Sequence, residues 1–283
     1  MGSTDFNSPL VSAEWLRARL DEPDIAVLDA TFFLPRQSRD AFAEYRKAHI
    51  PGARFFDIDV IADPRNPLAH SLPSPKNFAL AAGSLGIDDR TGVIVYDNNA
   101  FLASARAWWM FRVFGHDKVA VLNGGLSRWK TAGCALESGS VAAAPKVFER
   151  RFRRDLVFDL QQMRAASRTR DWQIVDTRSP GRFTGANPET EAGMRSGHIP
   201  GSINLHYEAL RDDSTFTLLP VEKLDALRAG AGINLDRPIV ATCGSGVSAA
   251  ILSLGMYMLH CRSVPVYDGS WAEWGRQKDA PVE

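Results

Sequence analysis

The sequence predicts an α/β protein of two tandem domains, each a mostly parallel sheet flanked by helices. Three observations carry this: a domain-sized internal repeat, short apolar runs alternating with longer helical patterns in each copy, and a length of 283 residues. At about 150 residues per domain that length is roughly two domains. The repeat comes first because it sets the architecture. Val27-Leu28-Asp29-Ala30 returns as Ile174-Val175-Asp176-Thr177, and His49-Ile50-Pro51-Gly52-Ala53 as His198-Ile199-Pro200-Gly201-Ser202. Val93-Ile94-Val95-Tyr96-Asp97 returns as Ile239-Val240-Ala241-Thr242-Cys243, and Asn123-Gly124-Gly125-Leu126 as Asp268-Gly269-Ser270-Trp271. Four matches in one order, with a nearly constant offset, describe a duplicated domain.

Within each copy, β-branched runs such as Ile239 to Ala241 read as buried strands. The segments Pro220 to Ala229 and Val247 to Leu259 read as helices, and that alternation belongs to a parallel sheet with both faces covered. The Pro-Gly of each His-Ile-Pro-Gly segment suits a tight turn, Pro fixing φ and Gly accepting φ > 0. Its histidine is expected to bond nearby backbone, since the motif occurs in both copies. Asp159 followed by Gln162 reads as a capping box opening a helix that ends before Ile174. Glycine, a run of alanines and Pro145 mark the seam, giving domains at 1–138 and 157–283 with a linker at 139–156. Trp108, Trp109, Trp129, Trp271 and Trp274 are expected to pack the core and the domain interface.

Lys plus Arg and Asp plus Glu each number 33, and no like-charge block forms a nucleic-acid footprint or a membrane-binding tail. No apolar stretch is long enough to span a bilayer, and Met1 to Leu10 shows no basic segment leading into a hydrophobic one, so a cytoplasmic location is expected. Three cysteines, Cys134, Cys243 and Cys261, do not make a disulfide framework or a four-ligand zinc site, and no metal or organic cofactor is expected. Any special cysteine is special as a thiol.

Cys243 is that candidate. It ends an apolar strand and precedes Gly244-Ser245-Gly246-Val247-Ser248-Ala249, which leads into a helix. Ligands of open α/β sheets bind at the carboxyl ends of strands. The two glycines let successive N–H groups converge on one concavity at a helix N-terminus, which favours thiolate, the nucleophilic form. The loop separates rival chemistries. A cysteine phosphatase needs an arginine where this chain has Ala249, and a nucleotide phosphate loop needs a lysine that is absent.

The duplication, the two turns, the strand ending in Cys243, its loop and the Tyr267-Asp268-Gly269-Ser270-Trp271 segment together resemble tandem rhodanese-domain sulfurtransferases. The Cys-Gly-Ser-Gly-Val-Ser-Ala loop is similar to that of 3-mercaptopyruvate sulfurtransferases. Thiosulfate-using rhodaneses carry basic residues just after the cysteine. The resemblance implies a ping-pong transfer in which Cys243 takes sulfur from a small donor as a persulfide and passes it to cyanide, a small thiol or a thioredoxin-like protein. It implies that Ser245, His70 and Asp59 form a serine-protease-like relay and that Arg182 holds the donor's carboxylate. The N–H groups from Gly244 through Gly246 and Val247 to Ser248 are expected to stabilise the sulfur. Asp97 takes the cysteine's place in the first copy, which is therefore expected to be catalytically silent. One departure stands out. The family's second arginine position holds Glu191, so Arg195, Arg178 or Arg106 substitutes for it or the donor differs. Alternatives are a thiosulfate sulfurtransferase and a non-catalytic persulfide carrier.

Overall fold

The structure, a computed structural model, describes residues 6, 8–34, 37–100, 103–189 and 193–283. The chain divides into two compact units. The first comprises 1–63, 72–153 and 213–218; the second comprises 64–71, 154–212 and 219–283.

In the first unit the elements run β1 (Leu10–Val11), α1 (Ala13–Arg17), β2 (Ile25–Asp29), α2 (Ala41–Lys47), β3 (Arg54–Phe55), α3 (Ile58–Ile61), α4 (Pro75–Ser84), β4 (Gly92–Tyr96), α5 (Ser104–Val113), β5 (Val119–Leu122) and α6 (Gly125–Thr131). All pairings are parallel, in the order β1-β5-β4-β2-β3. All five residues of β4, Gly-Val-Ile-Val-Tyr, are buried, as a central strand covered on both faces requires. One face packs Val27, Ile94 and Leu122 against Leu16, Leu126 and Trp129. Helix α5, with every residue buried, packs on β4 and β5.

The second unit repeats the plan with β6 (Val157–Phe158), α7 (Leu160–Thr169), β7 (Gln173–Asp176), α8 (Pro180–Phe183), β8 (Ile203–Asn204), α9 (Val221–Gly230), β9 (Ile239–Thr242), α10 (Ala249–Met258), β10 (Val266–Tyr267) and α11 (Ser270–Trp274). Its sheet order is β6-β10-β9-β7-β8, again all parallel. The register repeats as well. Asp29 pairs with Phe55 and Tyr96, and its counterpart Asp176 with Asn204 and Thr242.

Local signals act as the sequence predicts. Asp159 and Gln162 form a reciprocal capping box on α7, which stops at Thr169. Gly52 and Gly201 both take φ 72°, the left-handed conformation the turns demand. His49 Nδ1 lies 2.8 Å from the Tyr45 carbonyl and His198 Nδ1 2.9 Å from that of Phe183, so both histidines bond backbone. The five tryptophans are at most 1% exposed. The helix after Cys243 begins at Ala249, two residues later than its apolar pattern, because the loop takes up Val247 and Ser248.

Candidate active site

The sheet of the second unit delivers Cys243 at the carboxyl end of β9, 2% exposed, where the chain leaves the central strand. The following loop turns through Gly246 at φ 78° into α10, with Ser248 at the N-cap. Helix α10 has no side-chain cap, and within the described residues the N–H groups of Ser245, Val247, Ser248 and Ala249 meet no acceptor. Unsatisfied N–H groups at a helix start favour an anion. Ser248 Oγ lies 3.1 Å from Thr177 Oγ1 on the chain leaving β7, which fixes the far end of the loop.

The first unit shows what occupies such a loop when the strand ends in a carboxylate. Asp97 Oδ1 accepts from the Asn99 N–H (3.0 Å), and Oδ2 accepts from those of Ala103 (3.2 Å) and Ser104 (2.9 Å). Ala100 takes φ 56°, matching its counterpart Gly246. The positive-φ residue three positions past Asp97 and Cys243 is thus common to the two units. Asp97 fills its own nest with a fixed charge; Cys243 brings a thiol to the same place.

The cysteine is clamped from α11. The Trp271 N–H donates to the Cys243 carbonyl (3.0 Å) and the Ala272 N–H to that of Gly244 (2.8 Å). Ser270 Oγ accepts from the Cys243 N–H (3.2 Å), donates to the Tyr267 carbonyl (2.8 Å) and lies 3.9 Å from Cys243 Sγ. Ser270 is fully buried at φ 46°, a region costly for a residue with a Cβ. Its counterpart Gly125 takes φ 54°, and a Cβ there would stand 2.3 Å from the Asp97 carbonyl oxygen. The second unit therefore accepts backbone strain where the first uses glycine, and gains a hydroxyl beside the thiol.

Charge reaches the loop through a chain of ion pairs. Arg178 is fully buried; its Nε and Nη2 lie 3.0 and 2.7 Å from Asp176 Oδ2, and its Nη1 lies 2.7 Å from Glu189 Oε1. Its guanidinium carbon lies 4.3 Å from the Trp271 ring centroid. The other Glu189 oxygen accepts from Nε of Arg182 (3.2 Å) and from its Nη2. A Cβ on Gly244 would lie 3.3 Å from Arg182 Nη2 and 3.4 Å from Nη1, so the guanidinium lies against the loop. With the Arg182 side chain 24% exposed and Nη1 making no hydrogen bond to a described residue, that edge is open to an anion.

Several sequence expectations resolve. Arg182, Gly244, Ser245, Gly246, Val247 and Ser248 gather around Cys243. His70, half-buried at φ 61°, belongs to the second unit, whereas Asp59, exposed on α3, belongs to the first. Glu191 lies outside the described residues. Two of its suggested substitutes are committed elsewhere. Arg178 is held as above, and Arg195 donates to the carbonyls of Gly275, Ala280, Trp274 and Gln277. Arg106 is fully buried in α5, its guanidinium carbon 4.5 Å from the Trp109 ring centroid. Sequence reasoning missed Glu189 and Ser270. The Gly125-to-Ser270 exchange within the repeat was the available signal for the serine. Cys134 and Cys261 are free and half-buried, and burial pushes the Cys261 thiol upward, away from thiolate.

A model of the rhodanese-like domain matches residues 12–132 and again 159–277. The chain belongs to the rhodanese family. Thiosulfate/3-mercaptopyruvate sulfurtransferase 1, mitochondrial, of Arabidopsis thaliana is 42% identical over 99% of this chain and 79% of its own length. The 3-mercaptopyruvate sulfurtransferase of Escherichia coli K12 is 40% identical over 96% of this chain and 97% of its own. The crystal structure of SseA from Escherichia coli, described as a 3-mercaptopyruvate sulfotransferase, superposes with a TM-score of 0.86 at 38% identity, covering 94% of this chain and 99% of that one. This rhodanese is accordingly a sulfur-transferring enzyme with two rhodanese domains, which implies a small-molecule sulfur donor and a thiol acceptor. No helix among the described residues is long and apolar enough to cross a membrane.

Proposed function

We propose that this rhodanese moves sulfur from 3-mercaptopyruvate, through a persulfide on Cys243, to a thiol or to cyanide. The Cys243 thiolate attacks the donor's mercapto sulfur and forms an S–S bond. The C–S bond breaks, its electron pair passes to carbon as an enolate, and protonation gives pyruvate. The acceptor thiolate then attacks the outer sulfur, and the breaking S–S bond returns its electrons to Cys243. Loop N–H groups from Gly244 to Ser248 bear the persulfide charge, Ser245 standing where Asn99 donates to the Asp97 carboxylate. Arg182 orients the donor carboxylate with Nη1, while Glu189 holds its other nitrogens. Ser245, with His70 of the same unit, polarises the donor carbonyl and relays the proton. The first domain is catalytically silent.

The observation that carries this reading is the Arg182 guanidinium lying against Gly244, next to the nucleophile. Uncharged loop residues after Cys243 favour this donor over thiosulfate. The thiosulfate reading draws on Glu191 and on the commitment of Arg178 and Arg195, which leave Arg182 as the carboxylate contact among the second unit's candidates. Steady-state transfer from both donors decides it. Higher kcat/KM with 3-mercaptopyruvate, lost selectively in Arg182→Ala, supports the proposal; equal loss for both donors contradicts the role of Arg182. A persulfide that forms without turnover of either donor indicates a carrier. A thioredoxin-like protein is the proposed acceptor, tested by direct transfer, and three free thiols support a reducing, cytoplasmic setting, tested by fractionation.

A further inference from the structure

The silent unit contains a cavity that its duplicate fills with one side chain. In the second unit the guanidinium of Arg178 sits between Asp176, Glu189, the Gly197 carbonyl and the Trp271 ring. The duplicated positions of Asp176, Gly197 and Trp271 are Asp29, Ala48 and Leu126, and all three line a cavity of about 270 Å³ in the first unit. Position 178 corresponds to Thr31, too short to cross that space, which is why the cavity exists. The carboxylate of Glu44, another lining residue, is held by Arg39 and Asn98.

Asp29 is 1% exposed, accepts hydrogen bonds from the Thr31 N–H (2.9 Å) and hydroxyl, and pairs with no cation among the described residues. Burial, against the hydrogen bonds from Thr31 and Tyr96, pushes its carboxyl up to about 6, and the Asp97 charge adds to the rise. A buried carboxylate beside an open polar cavity is poised to take a cation. Exposed Lys47 and Lys130 also line it and present positive charge at the surface.

We infer that this cavity binds a small guanidinium compound that also carries a carboxylate: the guanidinium reaches Asp29 as Arg178 reaches Asp176, and the carboxylate stays near Lys47 and Lys130. This site is separate from the Cys243 chemistry and does not depend on it.

Calorimetric titration of the full chain with guanidinoacetate, methylguanidinium and acetate tests the inference. Guanidinoacetate is expected to bind one site with Kd below about 1 mM. Methylguanidinium binds at least ten-fold more weakly, and acetate gives no saturable heat. Asp29→Asn weakens guanidinoacetate at least ten-fold, and Thr31→Arg, which installs the second unit's own guanidinium, abolishes it. Sulfur transfer by both variants stays at the wild-type level, reporting an intact fold. No binding by wild type, or equal binding by Asp29→Asn or Thr31→Arg, overturns the inference; methylguanidinium binding as tightly as guanidinoacetate overturns its carboxylate half.

Discussion

The loop after β4 and the loop after β9 pass through a residue of positive φ at the same position, Ala100 and Gly246, and differ in the group they are built around. Asp97 accepts from the N–H groups of Asn99, Ala103 and Ser104, whereas beyond Cys243 the counterparts of the first two, those of Ser245 and Ala249, meet no acceptor among the described residues and the third, that of Ala250, turns to the Val247 carbonyl. A second contrast runs the other way. Behind the Cys243 loop the buried acid Asp176 is closed off by Arg178, while its duplicate Asp29 faces a cavity. Duplication has preserved the frame in both units and exchanged which site is filled: an inert anion and an open acid in one, a reactive thiol and a sealed acid in the other.

The largest expected effect breaks the first contrast. Cys243→Ser replaces the sulfur nucleophile and should lower transfer more than about 10³-fold, or over 4 kcal/mol of barrier, with thermal stability nearly unchanged. The second contrast is sharpened by Asp29→Asn. The native carboxyl titrates near 6 against about 3.8 unfolded, so the stability it contributes below pH 3.8 is lost as pH rises through 6. The asparagine variant should match wild type near pH 4 and exceed it at pH 8 by up to about 3 kcal/mol in denaturant unfolding. Arg182→Ala removes the open charge at the Cys243 loop, for which the Asp97 loop has no need. KM for 3-mercaptopyruvate should rise about 30-fold, or about 2 kcal/mol, with a smaller change for thiosulfate. Smallest is Ser270→Ala, which deletes the hydroxyl that Gly125 also lacks. One hydrogen bond of about 1 kcal/mol predicts a roughly five-fold fall in kcat, with KM unaffected if the serine only positions the thiol.

Much of this was readable from the sequence because duplication makes a chain its own comparison. Collinear repeats gave the two parallel sheets, and the replacement of Asp97 by Cys243 at the end of an apolar strand singled out the reactive position. The two Pro-Gly turns and the Asp159–Gln162 box were readable since each rests on residues a few positions apart. Longer links were not. Glu189 reaches Arg182 and Arg178 through the path of the segment after α8, which no periodicity encodes. Ser270 reads as an ordinary serine until its φ of 46° shows that the fold calls for glycine there. The cavity at Asp29 was hidden because a missing side chain, Thr31 in place of arginine, leaves no motif behind.

The central claim, that only the second loop carries sulfur, is tested most directly by mass spectrometry of the intact chain after brief exposure to 3-mercaptopyruvate, with peptide mapping of the adduct. The account predicts a gain of one sulfur atom, located on Cys243, absent from Cys243→Ser and discharged by a thiol acceptor. Added sulfur on Cys134 or Cys261 that persists in Cys243→Ser would contradict it.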